Sequence, residues 1–200
     1  MNWNGWGWDV ALEDGTTYLS PEAYSATRPQ QGSLVGIFDK GGNEVQLSRE
    51  ANGDLSEIKS PSGGWIRLTY SRGRVFEAKD SFGNVVEYDY DSNDRLGAVR
   101  YSTGRTTRYM YDSSDRVVEV EDSLAGVLVQ NEYDSHGLVV QQMVGGRRTY
   151  SFRYAFDKPT KSADVDISDS LGKVTRAKMR GTDNGIYYTV EKLARVSGHH

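Results

Sequence analysis

Between residues 66 and 154 apolar and polar positions alternate in five short runs. One set of alternate positions reads Ile66/Leu68/Tyr70, Val86/Tyr88/Tyr90, Thr107/Tyr109/Tyr111, Val129/Asn131/Tyr133 and Tyr150/Phe152/Tyr154. The positions between them read Arg67/Thr69, Glu87/Asp89, Arg108/Met110, Gln130/Glu132 and Ser151/Arg153. A period of two with one apolar face predicts half-buried antiparallel strands. The runs that follow begin Leu55, Val75, Leu96, Val117 and Leu138, and their next apolar residue often comes three later, at Ile58, Ala78, Val99 and Val120. A spacing of three breaks strict alternation, so a bulge or sharp bend is expected there.

The runs recur. Tyr70, Tyr90, Tyr111, Tyr133 and Tyr154 lie 20, 21, 22 and 21 residues apart. After each of the middle three comes a polar turn and an apolar restart: Asp91-Ser-Asn-Asp94-Arg95-Leu96, Asp112-Ser-Ser-Asp115-Arg116-Val117 and Asp134-Ser-His136-Gly137-Leu138. A second series of turns falls half-way along each period, at Asp39-Lys-Gly41-Gly42, Ser60-Pro61-Ser-Gly63, Asp80-Ser-Phe-Gly83, Ser102-Thr-Gly104, Asp122-Ser-Leu-Ala-Gly126, Val144-Gly145-Gly146 and Asp169-Ser-Leu-Gly172. Glycine supplies positive φ, and Asp or Ser bonds to its own backbone, so these are turns with a mechanism. Two turns per ~21 residues leave two strands of about six residues, the modal length. Each repeat is therefore one β-hairpin. The fold predicted is all-β, an antiparallel hairpin array forming a curled, solenoid-like strip.

Composition narrows the chemistry. The 200 residues include 13 Tyr, 22 Gly and no Cys, and the net charge is −4. The absence of cysteine excludes a disulfide framework and thiolate metal ligands. So mild a charge leaves no electrostatic footprint for nucleic acid, and no apolar run approaches the ~18 residues of a membrane helix. Met1–Trp6 has no basic region before an apolar core, so no signal peptide is read there.

The pattern Tyr-x-Tyr-Asp-x-x-(Gly/Asp)-Arg-(Leu/Val), carried by Tyr88 to Leu96 and Tyr109 to Val117 with partial copies from Leu68 and Asn131, resembles the RHS/YD-repeat family. The stretches Asp14–Tyr18, Arg28-Pro29, Leu34–Ile37 and Gly42-Asn43 are similar to the region that precedes such repeats. The resemblance implies a long, secreted or cell-surface, bacterial parent whose hairpins wind into a hollow shell able to enclose a toxin domain. The Pro- and Asp-rich signature that ends such a shell, and at which bacterial members sever their toxin, does not occur in this sequence, so neither self-cleavage nor a payload is carried over. The implied role is a structural shell segment or protein-interaction module, without catalysis or cofactor.

Four segments follow: a Trp-rich N-terminal cap and first hairpin at 1–24, a linker at 25–33, hairpin repeats at 34–190, and a tail at 191–200 in which His199 and His200 read as part of an affinity tag. A helix is credible only at Val190–Arg195. The motif residues Tyr70, Tyr88, Tyr90, Asp91, Tyr109, Tyr111, Asp112, Tyr133, Asp134 and Tyr154 are expected to carry the structure. The tyrosines should be buried and stacked on neighbours in adjacent strands, and the aspartates should fix the turns. Trp3, Trp6 and Trp8 are expected to plug a concave side or cap the first hairpin. A sugar-binding platform is their alternative role, because indoles stack on pyranose faces. Carboxylates around Glu119 and Glu121, with Glu87, Asp89 or Glu132 opposite, would serve a weak glycoside hydrolase. His136, the only internal histidine, reads as a solvated turn residue, and a zinc site is improbable. The expected partner is protein, either neighbouring repeats or a second copy.

Overall fold

The computed structural model describes residues 2–157, 159–160, 162–181 and 188–196, the last strand by its backbone. The chain is all-β. Its contacts divide it into two compact units, Met1–Asp94 with Val99–Gly104, and Arg95–Ala98 with Arg105–His200.

In the first unit the strands are β1 (Asn2–Trp3), β2 (Gly7–Ala11), β3 (Thr17–Pro21), β4 (Gly36–Phe38), β5 (Glu44–Arg49), β6 (Leu55–Lys59), β7 (Trp65–Ser71), β8 (Arg74–Asp80) and β9 (Val85–Tyr90). A 3₁₀ turn at Pro29–Gly32 lies within the segment read as a linker. β10 (Leu96–Tyr101) contributes its halves to different units. The second unit holds β11 (Thr106–Tyr111), β12 (Val117–Asp122), β13 (Gly126–Tyr133), β14 (Val139–Val144), β15 (Arg148–Asp157), β16 (Ser162–Asp169), β17 (Val174–Gly181) and β18 (Tyr188–Val196). From β1 to β9, and again from β11 to β18, each strand pairs antiparallel with the next in sequence.

The helix expected at Val190–Arg195 is instead part of β18, which runs antiparallel to β17 from Tyr188 to Val196. So short a helix is marginal alone, whereas pairing satisfies both its own backbone and the open edge of β17. His199 and His200 lie outside the described residues.

The expected bulges are present, at the second residue of β6, β12 and β14 and at the third of β8. Tyr70 pairs with Val75 and Thr69 with Glu77, so Phe76 has no opposite number. Tyr111/Val117 with Met110/Glu119 skips Val118, Tyr133/Val139 with Glu132/Gln141 skips Val140, and Arg49/Leu55 with Ser48/Glu57 skips Ser56. An extra residue on one strand sharpens the local twist.

One geometry recurs in both series of turns, though not in those at 102–104, 122–126 and 144–146. In it, the first residue donates its N–H to the carbonyl four residues on, and the fourth donates back to the first: Asp112 to Arg116 at 3.0 Å and Asp115 to Asp112 at 3.2 Å; Asp80 to Asn84 at 3.0 Å and Gly83 to Asp80 at 3.2 Å. The fourth residue has φ near +88° at Gly83 and Gly15, the region only glycine enters freely, yet Asp94 (+64°) and Asp115 (+62°) occupy it in two repeats. Little of the array is a sealed core. Among the described residues the buried apolar side chains are Val99, Ala163, Val165 and Ala177.

Candidate functional site

The recurring tyrosines define the site. Each stands at or near the end of its strand, half-buried, and its hydroxyl donates to a backbone carbonyl about fifteen residues upstream. Tyr70 bonds Leu55 O at 2.9 Å, Tyr90 bonds Val75 O at 2.8 Å, and Tyr111 bonds Leu96 O at 2.9 Å. Tyr133 bonds Val117 O at 2.7 Å and Tyr154 bonds Val139 O at 2.9 Å.

Four of these carbonyls belong to the first residue of a returning strand, and that of Val75 to the second residue of β8. The bulge explains why it needs a side chain. Regular pairing between β6 and β7 ends at Glu57↔Arg67, that between β12 and β13 at Glu119↔Gln130, and that between β14 and β15 at Gln141↔Ser151. Leu55, Val117 and Val139 therefore start their strands two residues beyond the reach of the next ladder. The phenol spans that gap to the carbonyl, which at Val117 also receives Asn131 Nδ2 at 3.0 Å. Such a bond contributes about 1 kcal/mol.

An arginine completes the clasp. The guanidinium of Arg74 lies 5.3 Å from the Tyr90 ring centroid, that of Arg95 4.6 Å from Tyr111, and that of Arg116 4.6 Å from Tyr133. Each pair joins one repeat to the next. The same arginines reach the following polar turn: Arg95 donates to Asp112 O at 3.3 Å and to Asp115 Oδ1 at 2.7 Å, and Arg74 to Asp94 O at 2.5 Å. The strained φ of Asp94 and Asp115 thus coincides with a carboxylate that meets the preceding repeat's arginine. Arg116 donates to Asp134 O at 3.2 Å and holds its own turn's Asp112 at 2.7 Å. Gly137, at the position of Asp115, offers it no carboxylate.

At Leu138 the arginine position is apolar, and Tyr154 instead stacks on Phe156, with planes 6° apart and centroids 6.0 Å apart. Burial pushes the Tyr154 phenol above its ordinary value, helped by Asp134. Tyr70 is raised by burial and by Asp54, which stands where other repeats place arginine.

The turn aspartates act as backbone acceptors. Asp112 Oδ1 takes the N–H groups of Ser114 and Arg116, and Asp134 Oδ1 those of His136 and Leu138. Asp91 Oδ1 takes that of Asn93. Asp39 and Asp80 form the same pattern at the opposite ends of the hairpins.

Asp122 stands apart among the turn aspartates. It is the most buried large side chain described, 1% exposed, and its carboxylate receives Arg105 Nε at 2.5 Å together with the N–H groups of Leu124 and Ala125. The Arg105 hydrogen bond is the main cause of its lowered pKa. Replacing Asp122 by Ala removes these acceptors and strands the donors. The expected result is a larger fall in Tm by differential scanning fluorimetry than replacing Asp134, whose half-buried carboxylate takes the N–H groups of His136 and Leu138.

Several expectations change. The central tyrosines are half-buried, not buried, and their described partners are arginines and carbonyls, because an open array provides no second layer above them. Tyr88 and Tyr109 are also half-buried; Tyr109 faces Val120 across the ladder. The carboxylates of the hydrolase reading are dispersed in the second unit: Glu121 opposes Arg108, Glu119 opposes Gln130, and Glu132 opposes Gln141. His136 is exposed on its turn, with Nδ1 3.9 Å from Asp134 Oδ2. Among the described residues no group of three His, Asp or Glu side chains is placed to hold a metal ion. Trp3 and Trp8 face each other across β1 and β2, centroids 5.4 Å apart at 64°, and with Trp6 they are 44% to 87% exposed. They fill no interior; the two-residue β1 lies along β2 and covers that strand's outer edge.

No protein-family profile and no curated protein sequence matches the chain. Solved structures do. The TcdB2-TccC3-TEV crystal structure is 17% identical with a TM-score of 0.55, covering 90% of this chain and 10% of that one. The TcdB2-TccC3 crystal structure is 18% identical with a TM-score of 0.54, covering 86% and 10%. The Photorhabdus luminescens Tc holotoxin pore gives 16% identity, a TM-score of 0.54, and coverage of 90% and 10%. At these identities the likeness is one of fold. The chain spans about a tenth of the length of the chains it matches.

Proposed function

We propose that this chain is a structural segment of an RHS/YD-type shell, acting as scaffold and protein-interaction module. The observation that carries the reading is recurrence. The phenol-to-carbonyl bond appears at five tyrosines and the arginine stack at three. Chemistry on a substrate uses one constellation once; a scaffold repeats one constellation. The fold likeness to Tc toxin chains, which are parts of multi-component assemblies by their own descriptions, supports protein partners and a secreted parent. The titration shifts agree: the carboxyls of Asp39, Asp80, Asp112, Asp122, Asp134 and Asp166 are lowered, by hydrogen bonds or an arginine, the reverse of a general acid.

Deleting residues 113–134 tests the reading. The deletion joins Asp112 to Ser135, re-forms a Tyr111-Asp112-Ser-His-Gly turn, and leaves the Tyr111–Leu96 and Tyr154–Val139 bonds intact. A stack of interchangeable repeats tolerates the loss of one. Circular dichroism should show unchanged β signal per residue and a cooperative melt at somewhat lower temperature. A chain that no longer folds would show that its hairpins are not interchangeable scaffold units.

A further inference from the structure

Among the described residues the sequence holds two Asn-Gly pairs, Asn4-Gly5 and Asn52-Gly53, and the fold treats them oppositely. Such a pair can modify itself, because glycine has no side chain to keep its nitrogen from the preceding side-chain amide carbon. In the second pair that nitrogen is occupied and shielded. Gly53 is buried, its N–H is donated to Glu50 O at 2.8 Å, and a Cβ placed there would stand 2.7 Å from Gln30 C and from Gln31 N. In the first pair, which turns β1 into β2, the nitrogen is open. Gly5 is exposed at φ +92°, a Cβ placed there would meet nothing within 4 Å, and no described residue accepts its N–H.

The amide beside Gly5 is also prepared for attack. Asn4 Oδ1 accepts the N–H groups of Trp6 at 2.9 Å and Gly7 at 2.8 Å, two donors whose bonds strengthen as negative charge builds on that oxygen. Asn52 Oδ1 has one such donor, Asp54 N–H at 3.0 Å. Asn4 Nδ2 donates to Asp9 Oδ1 at 2.9 Å, and Asn4 N–H closes the turn on Gly7 O at 3.1 Å. These bonds hold the register in which Asn2 faces Asp9 and Trp3 faces Trp8.

We propose that Asn4-Gly5 is a self-modifying site whose conversion releases β1 and uncovers the outer edge of β2. The Gly5 nitrogen attacks Asn4 Cγ. The N–Cγ bond forms, the Cγ–Nδ2 bond breaks, and Nδ2 leaves as ammonia, carrying the proton that Gly5 gives up. Water then opens the five-membered imide at either of its C–N bonds, giving aspartate or isoaspartate. Aspartate sets a carboxylate against that of Asp9, where a donor stood before. Isoaspartate adds a methylene to the main chain of the turn. Either product loosens the two-residue β1, and β2 is left with an open pairing edge.

Peptide mapping of the intact chain during incubation at neutral pH tests the chemistry. Asn4 should convert at least roughly fivefold faster than Asn52, the factor for first breaking one hydrogen bond of about 1 kcal/mol. In denaturing urea the two should convert at equal rates. Equal rates in the folded chain, or faster conversion of Asn52, overturn the proposal. A difference that persists in urea also overturns it, because it then comes from neighbouring sequence and not from the fold. Asn4→Asp tests the release directly. The circular-dichroism signal of the Trp3–Trp8 ring pair should be lost, as in Trp3→Phe, and Asn4→Asp/Asp9→Asn, which reverses the donor and acceptor, should restore it. A ring-pair signal that survives Asn4→Asp overturns the release of β1. None of these outcomes alters the repeat-deletion test of the scaffold.

Discussion

Tyr111→Ala should lower the free energy of unfolding by about 3 kcal/mol, and Tyr111→Phe by about 1 kcal/mol. The reasoning separates the two parts of the side chain. The ring is half-buried, so its removal costs less than the 3–5 kcal/mol of a fully buried aromatic, about 2 kcal/mol here. The hydroxyl adds its bond to Leu96 O, and the Ala variant also strips the Arg95 guanidinium of the face on which it lies. Urea denaturation of the three proteins measures the difference. If Phe and Ala cost the same, the ring contributes nothing and the hydroxyl bond is the whole clasp. If Phe costs nothing, water replaces the phenol at the carbonyl and the account of the gap beyond each ladder fails.

The spacing of Tyr90, Tyr111 and Tyr133 made the hairpin period legible, because each period repeats the same strand and turn chemistry. The bulges were legible as well: an extra residue in a strand shifts the apolar face, so Leu55/Ile58 and Val117/Val120 record it directly. In the last copy the sequence places the restart at Leu138, one residue early. The Asp134–Leu138 hydrogen bond shows that Leu138 occupies the arginine position and that Val139 begins the strand. The destination of the phenol hydroxyl was not legible, since it depends on a carbonyl fifteen residues upstream and on where the ladder stops. Arg95 and Arg116 were visible as motif letters, but their contacts lie in the following repeat, beyond any local window. Asp122 looked like every other turn aspartate. Its one signal was the later glycine in Asp122-Ser-Leu-Ala-Gly126; there the N–H groups of Leu124 and Ala125 converge on the carboxylate while Arg105 closes from just before β11.

Acid should unfold the protein through its turns. Among the described residues, Asp14, Asp39, Asp80, Asp112, Asp122, Asp134 and Asp166 titrate below their ordinary value of 3.8. Asp39 and Asp80 are lowered chiefly by the amides of Asn43 and Asn84, Asp14 and Asp134 by the backbone N–H groups of Thr16 and Leu138, and Asp122 and Asp166 by Arg105 and Arg176. For Asp112, burial is the largest single influence and acts upward, but the backbone and guanidinium of Arg116 together outweigh it. In every case the folded pKa lies below the unfolded one, so the unfolded chain binds more protons between the two values. Stability is then full above about pH 5 and declines as pH falls through 3.8 towards the folded values. Seven sites acting in the same direction should make that decline steep. Chemical denaturation at pH 7, 5, 4 and 3 reads it as a falling midpoint. An Asp39→Asn/Asp80→Asn double variant removes two of the protons taken up. Its stability should therefore be lower at pH 7 but vary less with pH, and the two curves should converge below pH 3. Parallel curves would mean that these carboxylates are no better stabilised in the folded turns than in the unfolded chain, and that glycine and backbone geometry alone hold the hairpins.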